Sequence, residues 1–411
     1  MKTTPAQEIA EEPPSNTTCA LGVDEEEPPG NAVEVSRFFA SVDPENWRDW
    51  RWQFKNRITS VEELSSYLSL SSKQQAQLRL VSLKYPFAIT PYYLSLIDPA
   101  DSSDPVRAQA VPVAEELTMA SEGLEDPLAE RAHSVVPGLV HRYPDRVLMV
   151  LTDICPMLCR HCTRKREWRT GVWTHNHAEI QAMLDYIRQH SEVRDVIISG
   201  GDPLTLSTTR LEIVLAGLRK IKHVEIIRIG TRCPVVLPQR IDDELCRMLG
   251  QYGPIWLNTH FNHPREITPE AMSACDKLLR AGVPVNNQAV LLKGVNDNLE
   301  IQRALCHGLL RAKVRPYYLF QCDDVQGTEH FWTSVETGIQ IIDGMRGFTS
   351  GLAVPTYVID LPHGGGKIAV GPNYILARED DGFLVRNYQG HLSHYNNPRD
   401  VQIVCKEQVP A

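Results

Sequence analysis

Residues 155–162 read CPMLCRHC, which puts three of the chain's 10 cysteines within eight positions. Thiolates at C-x3-C-x2-C spacing can hold metal, yet they are one ligand short of a closed tetrahedral site. Structural zinc prefers four ligands in paired C-x2-C units, and the sequence contains no second pair. A four-iron cluster on three thiolates leaves one iron open to an exogenous ligand, so the shortage becomes a chemical feature. Zinc and plain structural cysteines are the competing readings. The other thiols, at 19, 233, 246, 275, 306, 322 and 405, stand singly and form no disulfide framework. They read as small buried hydrophobes in a reducing compartment.

Lys367 is the second chemical candidate, directly after Gly364, Gly365 and Gly366. A phosphate loop is excluded, because Ile368 stands where Ser or Thr must hold magnesium and no glycine sits at 361. A lysine without bulky neighbours on its N-terminal side can approach a cofactor carbonyl closely. If desolvated, such a lysine has a lowered pKa and forms Schiff bases. Taken alone, a surface-loop lysine is the competing reading.

The elements that must position these groups are legible from about residue 145. Aliphatic runs (VLMVLT, DVIISGG, VEIIRIGTR, IWLNTHF, VPVNNQAVL, RPYYLF) alternate with amphipathic segments. In the first of these segments Ile180, Met183, Leu184 and Ile187 stripe one helical face. Six such units up to about 348 predict an α/β fold, a partial (βα)6 barrel, and no G-x-G-x-x-G follows a strand as a dinucleotide fold requires. Barrels carry chemistry at the C-terminal ends of their strands. Asp153 and the cysteines, the SGGDP stretch, Thr231 with Arg232, His260, Gln288 and Asp323 all fall at or near such ends.

The sequence divides into an acidic tail (1–33), an N-terminal helical region (34–140), the barrel (141–348) and a C-terminal segment (349–411). The helical region shows no chemistry in its sequence, and Trp47, Trp50 and Trp52 read as core or interface. Net charge is −9, and residues 1–30 carry seven acids against Lys2, with five prolines and no aromatic residue, a disordered composition. The remaining body is near neutral without a basic stripe, so nucleic acid is not an expected partner. No run approaches 18 apolar residues and no basic-then-apolar leader opens the chain, so a cytoplasmic protein without a membrane span is expected.

The triplet, with His161 before its last cysteine and a partial barrel around it, resembles the radical S-adenosylmethionine (SAM) superfamily, whose open iron binds SAM and yields a 5′-deoxyadenosyl radical. More narrowly, DICPMLCRHCTRKR, VPGLVHRYPDRVL, QCDDVQGTEHF, GFTSGLAVPTYVID and GGGK together are similar to the lysine 2,3-aminomutase family, over about residues 35–390. The resemblance implies that Cys155, Cys159 and Cys162 ligate a [4Fe-4S] cluster and that Lys367 forms the Schiff base with pyridoxal 5′-phosphate (PLP). It places Arg142, Tyr143 and Arg146 near the PLP phosphate. His161, Ser199, Gly200, Gly201, Asp202, His260 and Gln288 fall in the SAM environment. For the glycines a tight strand-end turn is the competing reading, and for His161, His260 and Gln288 a satisfied barrel-interior polar group.

By the same resemblance Arg164 receives the substrate's α-carboxylate, while Asp323 and Asp360 hold the side-chain ammonium of lysine. Two carboxylates in one pocket repel unless a cation lies between them, which favours a basic substrate. The implied reaction moves the amino group of lysine from C2 to C3. Arginine is the alternative substrate, and a non-catalytic iron–sulfur sensor the alternative class. A C-terminal extension holding PLP, a one-electron reductant such as a flavodoxin or ferredoxin, and a homodimer or higher homo-oligomer are implied too. Zinc is not expected: Cys405 is alone in the tail, and Asn298 stands where many relatives have a barrel cysteine.

Overall fold

The structure, a computed structural model, describes residues 38–119, 123–169 and 171–397. The acidic tail and Cys405 lie outside the described residues. Ten strands form one open sheet in sequence order: β1 (Ser134–Val136), β2 (Leu139–Tyr143), β3 (Arg146–Val150), β4 (Asp195–Ser199), β5 (Ile226–Gly230), β6 (Ile255–Thr259), β7 (Val285–Leu291), β8 (Arg315–Gln321), β9 (Thr356–Leu361) and β10 (Gly366–Ala369). Pairing is parallel from β3 through β9 and antiparallel at both flanks. The six expected runs are β3 to β8. To them the structure adds a seventh parallel strand, β9, and the flanking β1, β2 and β10. A separate three-stranded sheet follows, with β11 (Ile375–Arg378), β12 (Gly382–Arg386) and β13 (Leu392–Asn396).

Helices cross between the parallel strands and cover one face of the sheet. The helix Asn176 caps, His177–Gln189, buries Ile180, Met183, Leu184 and Ile187, the stripe read from the sequence. Strand side chains alternate between faces. Ile227, Ile229, Leu257, Leu291, Leu319 and Tyr357 are buried under the helices. Arg228, Gly230, Gln288, Val290, Tyr318, Phe320, Val358 and Asp360 turn to the opposite, concave face and line a cavity.

The N-terminal helical region packs into the same core, with Trp47 buried and Trp50 and Trp52 against it. It is pinned to the barrel by buried hydrogen bonds. Thr90 Oγ1 donates to the Val236 carbonyl at 2.6 Å, and Tyr93 Oη donates to Glu266 Oε1 at 2.6 Å.

Candidate active site

The concave face encloses a cavity of about 650 Å³, within the usual range for small-molecule sites. Its wall includes Cys155, Cys159, Cys162, His161, Arg164, Ser199, Gly200, Gly201, Asp202, His260 and Gln288, with Arg142, Tyr143, Arg146, Asp360 and Lys367 further along. Of the residues singled out in the sequence, Asp323 does not line it. Asp153 is also absent from the wall; its Oδ1 accepts from the Trp173 backbone N–H at 2.7 Å, tying down the segment after the cysteine loop.

That loop is clamped from the N-terminal region, the part whose sequence shows no chemistry. Arg160, between two of the cysteines, is fully buried, as are its partner Glu116 and nearly all of Lys165. Its guanidinium donates to Glu116 Oε1 at 2.9 Å and to the Tyr85 and Pro86 carbonyls, while Lys165 Nζ reaches Glu116 Oε2 at 2.8 Å. Burial depresses the Lys165 ammonium to about 8 against the pull of Glu116. On the other side lie Gly200 and Gly201. A Cβ on Gly200 would stand 2.4 Å from the Thr152 carbonyl oxygen, and one on Gly201 would stand 2.5 Å from Asp153 backbone atoms. Gly200 also has φ +146°, so these glycines serve close backbone approach as well as lining the cavity. Asp202 is used structurally, accepting from Thr231 Oγ1 at 2.7 Å and the Arg232 backbone N–H at 2.8 Å.

His161 and His260 face the same space. Burial first, then the charge of Arg232, presses His260 down to about 4 and His161 well below its ordinary value, so both are neutral. His260 Nδ1 lies 2.8 Å from the Gln288 carbonyl. His161 Nε2 is 3.3 Å from Asn262 Nδ2, while its Nδ1 is buried without a partner.

Lys367 and Asp360 are cross-strand partners on β10 and β9, with Lys367 Nζ 2.5 Å from Asp360 Oδ2. The ammonium also lies 4.1 Å from the Phe320 ring centroid. Burial lowers its pKa, opposed by Asp360. Asp360 Oδ1 is buried without a hydrogen bond, 3.9 Å from Arg142 Nη2. Asp323 stands behind this pair: burial, then the Asp360 charge, raises its carboxyl to about 7, with Lys367 opposing. Arg142 and Arg146 flank the Tyr143 ring at 4.8 and 4.4 Å, and Arg146 Nε pairs with Asp145 Oδ1 at 3.2 Å. Arg164 directs Nε and Nη2 onto Glu130 and gives Nη1 to the Gly200 carbonyl at 2.9 Å. Burial would raise the Glu130 carboxyl, yet Arg164 and then Arg166 hold it near 2.

Reading the sequence alone misses Glu116, Glu130, Gln109 and the role of Arg232, whose Nη1 donates to Cys159 Sγ at 2.9 Å. Arg232 was visible as a strand-end polar residue; the other three carry no motif.

The donor set fits the groups that the resemblance implies. Tetrahedral zinc with bonds of about 2.3 Å draws its sulfurs to roughly 3.8 Å apart. Cys155, Cys159 and Cys162 line one end of the cavity together, and three thiolates without a fourth protein thiolate in a paired unit suit a cluster that keeps one iron open. The unpartnered His161 Nδ1 suits a polar ligand beside the cysteines. Arg142 and Arg146 on either side of Tyr143, and a desolvated Lys367, suit a phosphorylated aldehyde. Asn298, the candidate zinc position, caps a helix by accepting from the Ile301 backbone N–H at 2.9 Å.

A model of the radical SAM superfamily matches residues 149–303, and one of lysine-2,3-aminomutase matches residues 342–409. The chain is 52% identical over 360 residues to L-lysine 2,3-aminomutase of Clostridium subterminale, covering 88% of this chain and 86% of that one. To L-lysine 2,3-aminomutase of Acetoanaerobium sticklandii it is 50% identical, with coverage of 90% and 89%. A glutamate 2,3-aminomutase of Clostridioides difficile is 44% identical, with coverage of 89% and 86%.

Proposed function

The chain belongs to the lysine 2,3-aminomutase family of radical SAM enzymes, and we propose from that premise that it converts L-lysine to β-lysine by moving the amino group from C2 to C3. The observation that carries this reading is that one cavity joins the three cysteines to the Lys367–Asp360 pair. Such a site can hold a radical source and a carbonyl cofactor facing one substrate.

Cys155, Cys159 and Cys162 would hold the [4Fe-4S] cluster; His161, Ser199, Gly200, Gly201, Asp202, His260 and Gln288 would surround SAM. Lys367 would carry PLP, with Arg142, Tyr143 and Arg146 at its phosphate. When bound, these groups supply a 5′-deoxyadenosyl radical and a π system over which the substrate radical spreads.

The chain's own residues bind and orient. Arg164 keeps one N–H on each terminal nitrogen beyond its bonds to Glu130 and Gly200, and these can receive the α-carboxylate. Asp360, which now pairs with the Lys367 ammonium, would hold the side-chain ammonium of the substrate, and Asp323 would add the second negative charge. A glutamate side chain meets repulsion at the same point.

The boundaries given from the sequence, a cytoplasmic location, a low-potential one-electron reductant of the flavodoxin or ferredoxin kind, and a homodimer or higher homo-oligomer complete the proposal. Among the described residues no helix is long and apolar enough to cross a membrane. Lys367→Ala is expected to abolish both the PLP absorbance band and turnover; unchanged turnover would remove the Schiff base from this reading.

A further inference from the structure

Among the described residues, Arg232 alone donates a side-chain hydrogen bond to a sulfur of the cysteine triplet. It follows β5 and its side chain is 7% exposed. Every nitrogen is directed: Nη1 to Cys159 Sγ at 2.9 Å, Nη2 to Gln109 Oε1 at 2.6 Å and Glu266 Oε1 at 2.8 Å, Nε to the His260 carbonyl at 3.0 Å. Its backbone N–H is fixed by Asp202. Glu266 is fully buried and also takes the Tyr93 hydroxyl and the Asn262 and His263 backbone N–H groups. Swinging Arg232 away would leave the buried Glu266 carboxylate without its cation and Gln109 Oε1 with only Asn262 Nδ2, so the donor is held on the sulfur before any cofactor arrives.

The two other thiols are treated differently. Cys162 Sγ accepts the Arg164 backbone N–H at 3.3 Å, and at Cys155 the recorded donor, Arg57, goes to the backbone carbonyl instead of the sulfur. We propose that Arg232 sets the reduction potential of the cluster, its guanidinium on the Cys159 sulfur stabilising the added electron. Hydrogen bonds to ligand sulfurs and net charge are levers on cluster potential, and a cationic donor moves it upward. The inference rests on the cluster assigned to Cys155, Cys159 and Cys162, and makes Arg232 a positioning residue for that ligand.

The test is an anaerobic potentiometric titration, without SAM or lysine, of the reconstituted full chain and of Arg232→Lys and Arg232→Gln, followed by electron paramagnetic resonance with iron and sulfide content as controls. Arg232→Gln is expected to cut the reduced-to-oxidised ratio at fixed poise about tenfold, close to 59 mV more negative for a one-electron couple. Arg232→Lys should fall between. An unchanged potential in a fully loaded Arg232→Gln protein overturns the proposal. Should that variant fail to load, wild type labelled at the guanidino 15N decides: coupling of a label to the reduced cluster, lost in Arg232→Lys, supports the contact, and a wild-type cluster without coupling overturns it. A wild-type chain that assembles no cluster instead refutes the underlying assignment.

Discussion

Lys367 sits between two demands. As an ammonium it neutralises Asp360 at 2.5 Å, and to attack a carbonyl carbon it must first be a neutral amine. Burial favours the neutral amine, since it lowers the lysine's affinity for its proton. Asp323 responds to the same field. Its carboxyl titrates at about 7 in the ligand-free protein against an ordinary 3.8, so the folded state holds its proton more tightly than the unfolded chain. The associated stability is therefore present below pH 3.8 and is lost as pH rises through about 7. A cationic substrate reverses the preference, because the ionised pair is what it binds. On this account kcat/KM for lysine rises with pH through about 7, and the limb disappears in Asp323→Asn; a profile identical in wild type and variant would count against it. Losing one charged partner costs about 1.5–3 kcal/mol, so Asp323→Asn should lower kcat/KM roughly tenfold to a hundredfold.

At the scale of elements, the cysteine loop is held by what packs behind it. Glu116 is the buried counter-ion that Arg160 and Lys165 share. Glu116→Gln leaves two buried cations sharing no carboxylate, a change of about 3–5 kcal/mol for a broken buried pair. Urea denaturation should show that loss together with reduced iron retention. Gly201→Ala should act more locally, since its Cβ would meet the Asp153 backbone at 2.5 Å. Its far-ultraviolet dichroism should stay close to wild type while cluster loading falls, and normal loading would show that the loop accommodates the methyl group.

These elements were unequally legible. The strands β3 to β8 announced themselves because buried strands separated by striped helices have a pattern in sequence. The three residues of β1, two of them exposed, and the mixed LVHRY of β2 have no such pattern. The clamps were invisible for another reason: Glu116 meets Arg160 across 44 positions, Glu130 meets Arg164 across 34, and Gln109 meets Arg232 across 123. Only the fold brings such pairs together. Asp323 feels the charge of Asp360 but does not line the cavity, and its position near a strand end in the sequence does not distinguish the two.

Across the whole molecule, one open sheet carries the cysteine loop after β3, near one flank, and the lysine at its β10 edge. Cofactor binding is thereby linked to the stability of the entire sheet. Saturating PLP at about a hundred times its dissociation constant should stabilise the folded chain by about 2.7 kcal/mol, read as a rise in Tm, and Lys367→Ala should lose most of that rise. The account's central claim is the amino shift itself. Reconstituted protein, incubated anaerobically with SAM, PLP, a reductant and lysine carrying 15N at C2, should yield β-lysine with the label on C3 and no product from glutamate. Protein with full iron, sulfide and PLP that leaves lysine unchanged would contradict it.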